Sequence, residues 1–136
     1  LRYIVLLSGK TVVVTGSNRG IGKSIVEVFA ENGANIYACT KKKYPDFNIF
    51  IESVSKKHNV IITPISFDLS NKLETKKNAN VIISNSSPID VIVNNAGVIS
   101  TSLFQMTSIE KIQETFYSNR PSHFELIESL YLPYFG

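Results

Sequence analysis

The sequence predicts an α/β fold built around a parallel sheet, and three observations lead there. With 136 residues, 43% apolar and 18% charged, the chain has the composition of one packed globular domain or less. Short, β-branched apolar runs such as Val12-Val13-Val14 recur along it, continuous rather than alternating, as in strands buried on both faces. Between them lie stretches whose apolar residues repeat at helical spacing. Strands alternating with helices are βαβ units, and these give a parallel sheet with right-handed crossovers.

The elements follow in order. Thr11 to Val14 is the first strand and runs into Gly16. Ile21, Ile25, Val28 and Phe29 then mark a helical face, with Gly33 as its C-terminal cap. Ile36 to Cys39 is a second short strand. After a polar stretch containing Pro45, residues Phe47, Phe50, Ile51 and Val54 line a second helix. A third strand is centred on Ile62 to Phe67 despite Pro64. The polar segment Asn71 to Ser87 has weak periodicity and reads as a helix broken into short pieces around Val81-Ile82-Ile83. Ile89 to Val93 is a fourth strand leading directly into Asn94-Asn95-Ala96-Gly97. Ile109, Ile112 and Phe116, then Phe124, Ile127, Leu130 and Tyr131, carry a last long helical face to Pro133. No repeat or linker divides the chain.

Composition also excludes functions. Fourteen Lys and Arg against eleven Asp and Glu leave +3, too little to imply a nucleic-acid partner. Cys39 is the sole cysteine, which suits a reducing, cytoplasmic location, and two separated histidines make no zinc site. No apolar run approaches the ~20 residues of a membrane span. The first seven residues lack a small-residue cleavage site and do not read as a signal peptide. The absence of an initiator Met points to an incomplete sequence.

The chemistry is carried by Thr15-Gly16-Ser17-Asn18-Arg19-Gly20-Ile21-Gly22, which stands between the first strand and the first helix. Glycines in such a turn let the backbone approach a diphosphate closely and leave helix N-terminal amides aimed at the anion. Alone this is a weak signal; between a strand and a helix it gains weight. The pattern resembles the Thr-Gly-x-x-x-Gly-x-Gly cofactor loop of the short-chain dehydrogenase/reductase family. The resemblance extends further along the chain, to Asp68-Leu69 after the third strand, Asn94-Asn95-Ala96-Gly97 after the fourth, Asn119, and Leu132-Pro133-Tyr134-Phe135. It implies a Rossmann-type sheet of order 3-2-1-4 flanked by helices and C-terminally incomplete, residues 1–136 forming the N-terminal portion of one domain. It implies that Gly16 to Gly22 hold the dinucleotide, Asp68 and Leu69 lie against the adenine, and Asn94 to Gly97 flank the ribose. Asn119 takes the place of a catalytic asparagine, although Pro121 close behind it disturbs the helix.

Cofactor preference is read at the second strand's end. An NAD-preferring member of the family carries an acid there for the ribose 2′-hydroxyl; this chain has Thr40 followed by Lys41. Arg19 stands where NADP-preferring relatives place a base, so Arg19 and Lys41 together favour a 2′-phosphate and hence NADP(H) over NAD(H).

What is missing is equally informative. In the family, a Ser and a Tyr-x-x-x-Lys pair deliver the proton from beyond the fourth strand. The only such spacing here, Tyr37 to Lys41, falls on the second strand, where four residues span ~13 Å and the lysine cannot reach the phenol. Two readings follow: the cofactor-binding part of an NADP(H)-dependent carbonyl or secondary-alcohol oxidoreductase, nearest in character to 3-oxoacyl-carrier-protein reductases, or a catalytically inert truncated module. By resemblance, the first implies a small carbonyl or acyl substrate and homo-oligomers formed through the last long helix. Stopping after the fourth strand would also expose an apolar strand edge.

Overall fold

The computed structural model describes residues 5–85, 88–97, 110 and 125–130. Its elements run β1 (Thr11–Thr15), α1 (Gly20–Glu31), β2 (Asn35–Thr40), α2 (Pro45–His58), β3 (Ile62–Ser66), α3 (Lys72–Asn85) and β4 (Val91–Val93). The four strands form one parallel sheet of order β3-β2-β1-β4, the order expected. The order reverses at β1, from which β2 lies on one side and β4 on the other. In open α/β sheets that reversal opens a crevice beyond the strands' carboxyl ends.

Side-chain alternation along β1 splits the core into two layers. Val12 and Val14 face α1 and α2, meeting Val26, Ala30, Phe47, Ile51 and Val54. Val13 faces the other way, toward Ala79 and Ile82 of α3 and toward Leu126 and Leu130 of the helical segment 125–130. All three valines are fully buried, and each such burial is worth about 1.5–3 kcal/mol. Glu125 fastens that last helix to α3 by facing both Lys72 and Lys76, at 3.6 and 3.7 Å.

Several boundaries differ from expectation for identifiable reasons. The segment after Asn71 is one 14-residue helix, not a broken one. Its buried stripe is only Thr75, Ala79 and Ile82, at helical spacing but mostly small or polar, so the hydrophobic pattern is faint. Asn78, Ser84 and Asn85 keep their side chains on the helix by donating to carbonyls four residues back. β4 begins two residues later than Ile89. There Asp90 takes over the register, accepting the Thr11 amide on its carboxylate at 2.8 Å and donating its own amide to the Thr11 carbonyl at 2.9 Å. Gly33 lies one residue past the α1 cap, Asn32, with φ +87°. Pro64 is tolerated because β3 is an edge strand, one of whose sides needs no ladder donors. Among the described residues β4 is the other edge.

Candidate functional site

The site is assembled where β1 gives way to α1. Gly16 and Gly20 both adopt positive φ, +65° and +56°, a conformation that disfavours any side chain with a Cβ. They fold the chain back so that α1 starts beside the end of β1. A Cβ on Gly16 would stand 2.9 Å from the Ala96 Cα. A Cβ on Gly22 would overlap the Gly16 carbonyl and stand 2.6 Å from the Asn95 side-chain Nδ2, so this glycine is demanded by packing. Gly20 is different. A Cβ there meets nothing within 4 Å, so the turn is open at the helix's amino end.

That amino end has no internal cap. The N-cap residue is Arg19, in extended conformation, and makes no side-chain hydrogen bond to the helix; the first turn contains no acid. Most helices place Ser, Thr, Asp or Asn at this position to accept first-turn amides. Here the leading amides of α1 and the positive end of its dipole are left for an outside acceptor. Ser17 does not fill the gap, because its buried hydroxyl donates inward to the Val14 carbonyl at 2.7 Å and its amide to the Cys39 carbonyl at 3.1 Å. Its part is to shape the turn. Asn18 is half-buried; Arg19, Gly20 and Ile21 are exposed around the opening.

The β4 end is locked to this turn by Thr15. Its fully buried Oγ1 accepts the amides of Asn95 and Ala96, both at 3.0 Å, and the Asn95 side chain donates to the Gly16 carbonyl at 3.2 Å. Asn95 therefore sits against the glycine turn, while Asn94 and Gly97 are exposed. Thr15 was legible only as the first letter of the loop pattern; its role as a double acceptor follows from the three-dimensional meeting of residues 80 and 81 positions apart.

β2 brings the next group alongside. Thr15 is in register with Cys39, so Thr40 and Lys41 emerge next to the glycine turn. The Thr40 hydroxyl is engaged within the protein, donating to the Lys42 carbonyl at 2.8 Å and lying 3.3 Å from the Ser66 hydroxyl. Lys41 is exposed, and its ammonium lies 3.9 Å from Asp68 Oδ2. Partial burial works against the charge on Asp68. Hydrogen bonds from the Ser70 side chain and backbone, with the Lys41 ammonium, outweigh it and hold the carboxyl below its ordinary range. Leu69 packs partly buried on the α3 side of the sheet. Asn71-x-x-Glu74 caps α3: Asn71 Oδ1 accepts two first-turn amides at 3.1 Å, and Glu74 reaches back to the Asp68 amide at 3.0 Å. The Asn71 and Glu74 spacing is a helix-start signal present in the sequence itself.

Asn119 lies outside the described residues. The other expected site residues, from Gly16 to Gly97, all lie at the carboxyl ends of the four strands or in the segments that follow them. Cys39 takes no part: burial pushes its thiol up to about 12. Among the described residues, no group of three or more acids, histidines and cysteines is placed to hold a metal ion, and no helix is long and apolar enough to cross a membrane.

Residues 10–135 match the short chain dehydrogenase family. The chain belongs to the short-chain dehydrogenase family. It is 33% identical over 97 residues to a short chain dehydrogenase of Pseudocercospora fijiensis, an alignment covering 71% of this chain and 31% of that protein. It is 29% identical over 128 residues to the 3-oxoacyl-[acyl-carrier-protein] reductase of Chlamydia trachomatis, covering 94% and 51%. Among solved structures, L-sorbose reductase from Gluconobacter frateurii, complexed with NADPH and L-sorbose, superimposes with TM-score 0.85 at 27% identity, covering 94% of this chain and 48% of that one. The chain thus spans about half or less of the length of the relatives it matches. The short-chain dehydrogenase sheet order and the loop pattern both hold in this chain.

Proposed function

We propose that this chain is the NADP(H)-binding part of a short-chain dehydrogenase acting on a carbonyl or secondary alcohol. The observation that carries the reading is the open turn at Gly20, where uncapped α1 amides and an absent first-turn acid leave a place for a diphosphate. Gly16 to Gly22 would hold that bridge, Asn94 to Gly97 the ribose next to it, and Asp68 with Leu69 the adenine. Lys41 and Arg19 supply cations on the exposed rim, and the position after β2 carries Thr40 in place of an acid. That arrangement favours a 2′-phosphate over a 2′-hydroxyl. The NADPH complex of the sorbose reductase is in keeping with this choice. When bound, the nicotinamide supplies hydride transfer; these residues bind and orient it.

Reduction of a 3-oxoacyl thioester is one member of that reaction class, supported by the similarity to the Chlamydia reductase. A second reading is cofactor binding without turnover by a polypeptide of just these 136 residues, among which no Tyr-x-x-x-Lys follows Gly97. Isothermal titration with NADPH and NADH tests the binding proposal. NADPH is expected to bind more tightly; equal affinity would remove the preference, and no binding of either would remove the function. Mixed with NADPH and a panel of ketones or 3-oxoacyl thioesters, this polypeptide is expected to leave absorbance at the reduced nicotinamide band unchanged. Turnover would refute the second reading.

A further inference from the structure

Asp68, just beyond the end of β3, is a carboxylate anchored on both its side chain and its backbone. Its Oδ1 accepts the Ser70 amide at 2.9 Å and the Ser70 hydroxyl at 2.7 Å. Its amide donates to Glu74, and its carbonyl accepts the Asn71 amide at 2.9 Å. With Oδ1 and the backbone fixed, Oδ2 is the oxygen left to face outward, and it faces Lys41.

Lys41 meets Asp68 through its ammonium, and its place is set by the neighbouring Thr40. The Thr40 carbonyl accepts the Phe67 amide at 3.0 Å, and the Thr40 hydroxyl closes the turn onto Lys42. The side chain itself is 63% exposed, so it is free to change partner. The neighbouring Lys42 leans instead over the Tyr44 ring, 5.7 Å from its centre. Lys41 is therefore the lysine of this run that the fold directs across the gap between the ends of β2 and β3.

We infer that Asp68 is a specificity-determining residue, its carboxylate competing with the cofactor's 2′-phosphate for the Lys41 ammonium and so limiting the preference for NADP(H). The inference rests on the cofactor site proposed above. An exposed pair at this separation is weak and readily exchanged, whereas a phosphate brings a larger charge and more acceptors. Lys41 can thus leave Asp68 for the phosphate, but the phosphate must displace an anion already in place. NADH makes no such demand on Lys41, so the ion pair survives its binding.

The test is a double-mutant cycle on the full chain, with NADPH and NADH affinities measured for wild type, Asp68→Asn, Lys41→Gln and the double variant. Asn keeps an acceptor for Ser70 while removing the charge, and circular dichroism checks that the fold is retained. Asp68→Asn is expected to raise the ratio of NADH to NADPH dissociation constants by about three- to fivefold, the scale of an exposed ion pair. Lys41→Gln is expected to lower that ratio. In the Lys41→Gln background the Asp68 substitution should leave it unchanged. A residue that only supported the loop or the adenine would weaken both cofactors together and leave the ratio alone. If both cofactors bind and Asp68→Asn does not raise the ratio, or raises it equally without Lys41, the inference fails while the cofactor site stands. If wild type binds neither cofactor, the site and the inference fall together.

Discussion

At the scale of single residues, the site depends on three side-chain choices with different physical reasons. Gly22 is fixed by space, because any Cβ would enter the Gly16 carbonyl. Gly22→Ala should lower stability by about 1–3 kcal/mol, the ordinary cost of overpacking, and a urea melt would register it. Gly20 is fixed by conformation alone: Gly20→Ala has room but must hold a left-handed φ, costing about 1–2 kcal/mol. A Gly20→Ala variant as stable as wild type would show that the turn relaxes elsewhere. Thr15 is fixed by hydrogen bonding. Thr15→Val keeps the shape but strips the acceptor from two amides, so a loss of about 1–3 kcal/mol is expected, with Thr15→Ser retaining most of it. A Val variant that melts with wild type would refute that account of the Asn95-Ala96 turn. Cys39 gives a pH prediction. Its thiol ionises near the ordinary value of 9.0 when unfolded but only near 12 when folded. The unfolded state therefore releases its proton first, and stability falls between about pH 9 and pH 12. Comparison of Cys39→Ala with wild type across that window should reveal a shallower decline in the variant.

At the scale of elements, what could be read from the letters depended on how loudly each helix or strand advertises its buried face. β1 contains three consecutive valines and was legible at once, as was the Phe47, Ile51 and Val54 face of α2; α1 was legible as a helix but not in its buried face, which is Gly22, Val26 and Ala30, while the expected Ile21 and Val28 are exposed. α3 was not, because its stripe is a threonine, an alanine and an isoleucine among polar neighbours. Its start is fixed by the Asn71-Glu74 cap, and its narrow stripe is buried against the sheet. Asn71→Ala should accordingly destabilise by about 1 kcal/mol, seen in chemical denaturation, and should also loosen the loop that fixes Asp68. The glycine turn and the paired asparagines were legible as a pattern. That Ser17 and Thr40 direct their hydroxyls into the protein was not, since the same letters serve a ligand or a backbone carbonyl equally well.

At the scale of the whole molecule, the order β3-β2-β1-β4 does the organising. It gathers segments as far apart as Gly16 and Asn95 into one crevice, and it places the Lys41 and Asp68 ends next to each other at the rim. The strand ends are held by a packed core on each face of the sheet, one helical layer to a side. The most direct measurement is a residue-by-residue map of backbone amide chemical shifts as NADPH is titrated into the isotopically labelled chain. The account predicts that the largest changes fall on Gly20, Ile21 and Gly22, with smaller ones at Asn95 and Ala96. Saturable changes confined to some other face of the sheet, leaving the α1 amides unmoved, would contradict it.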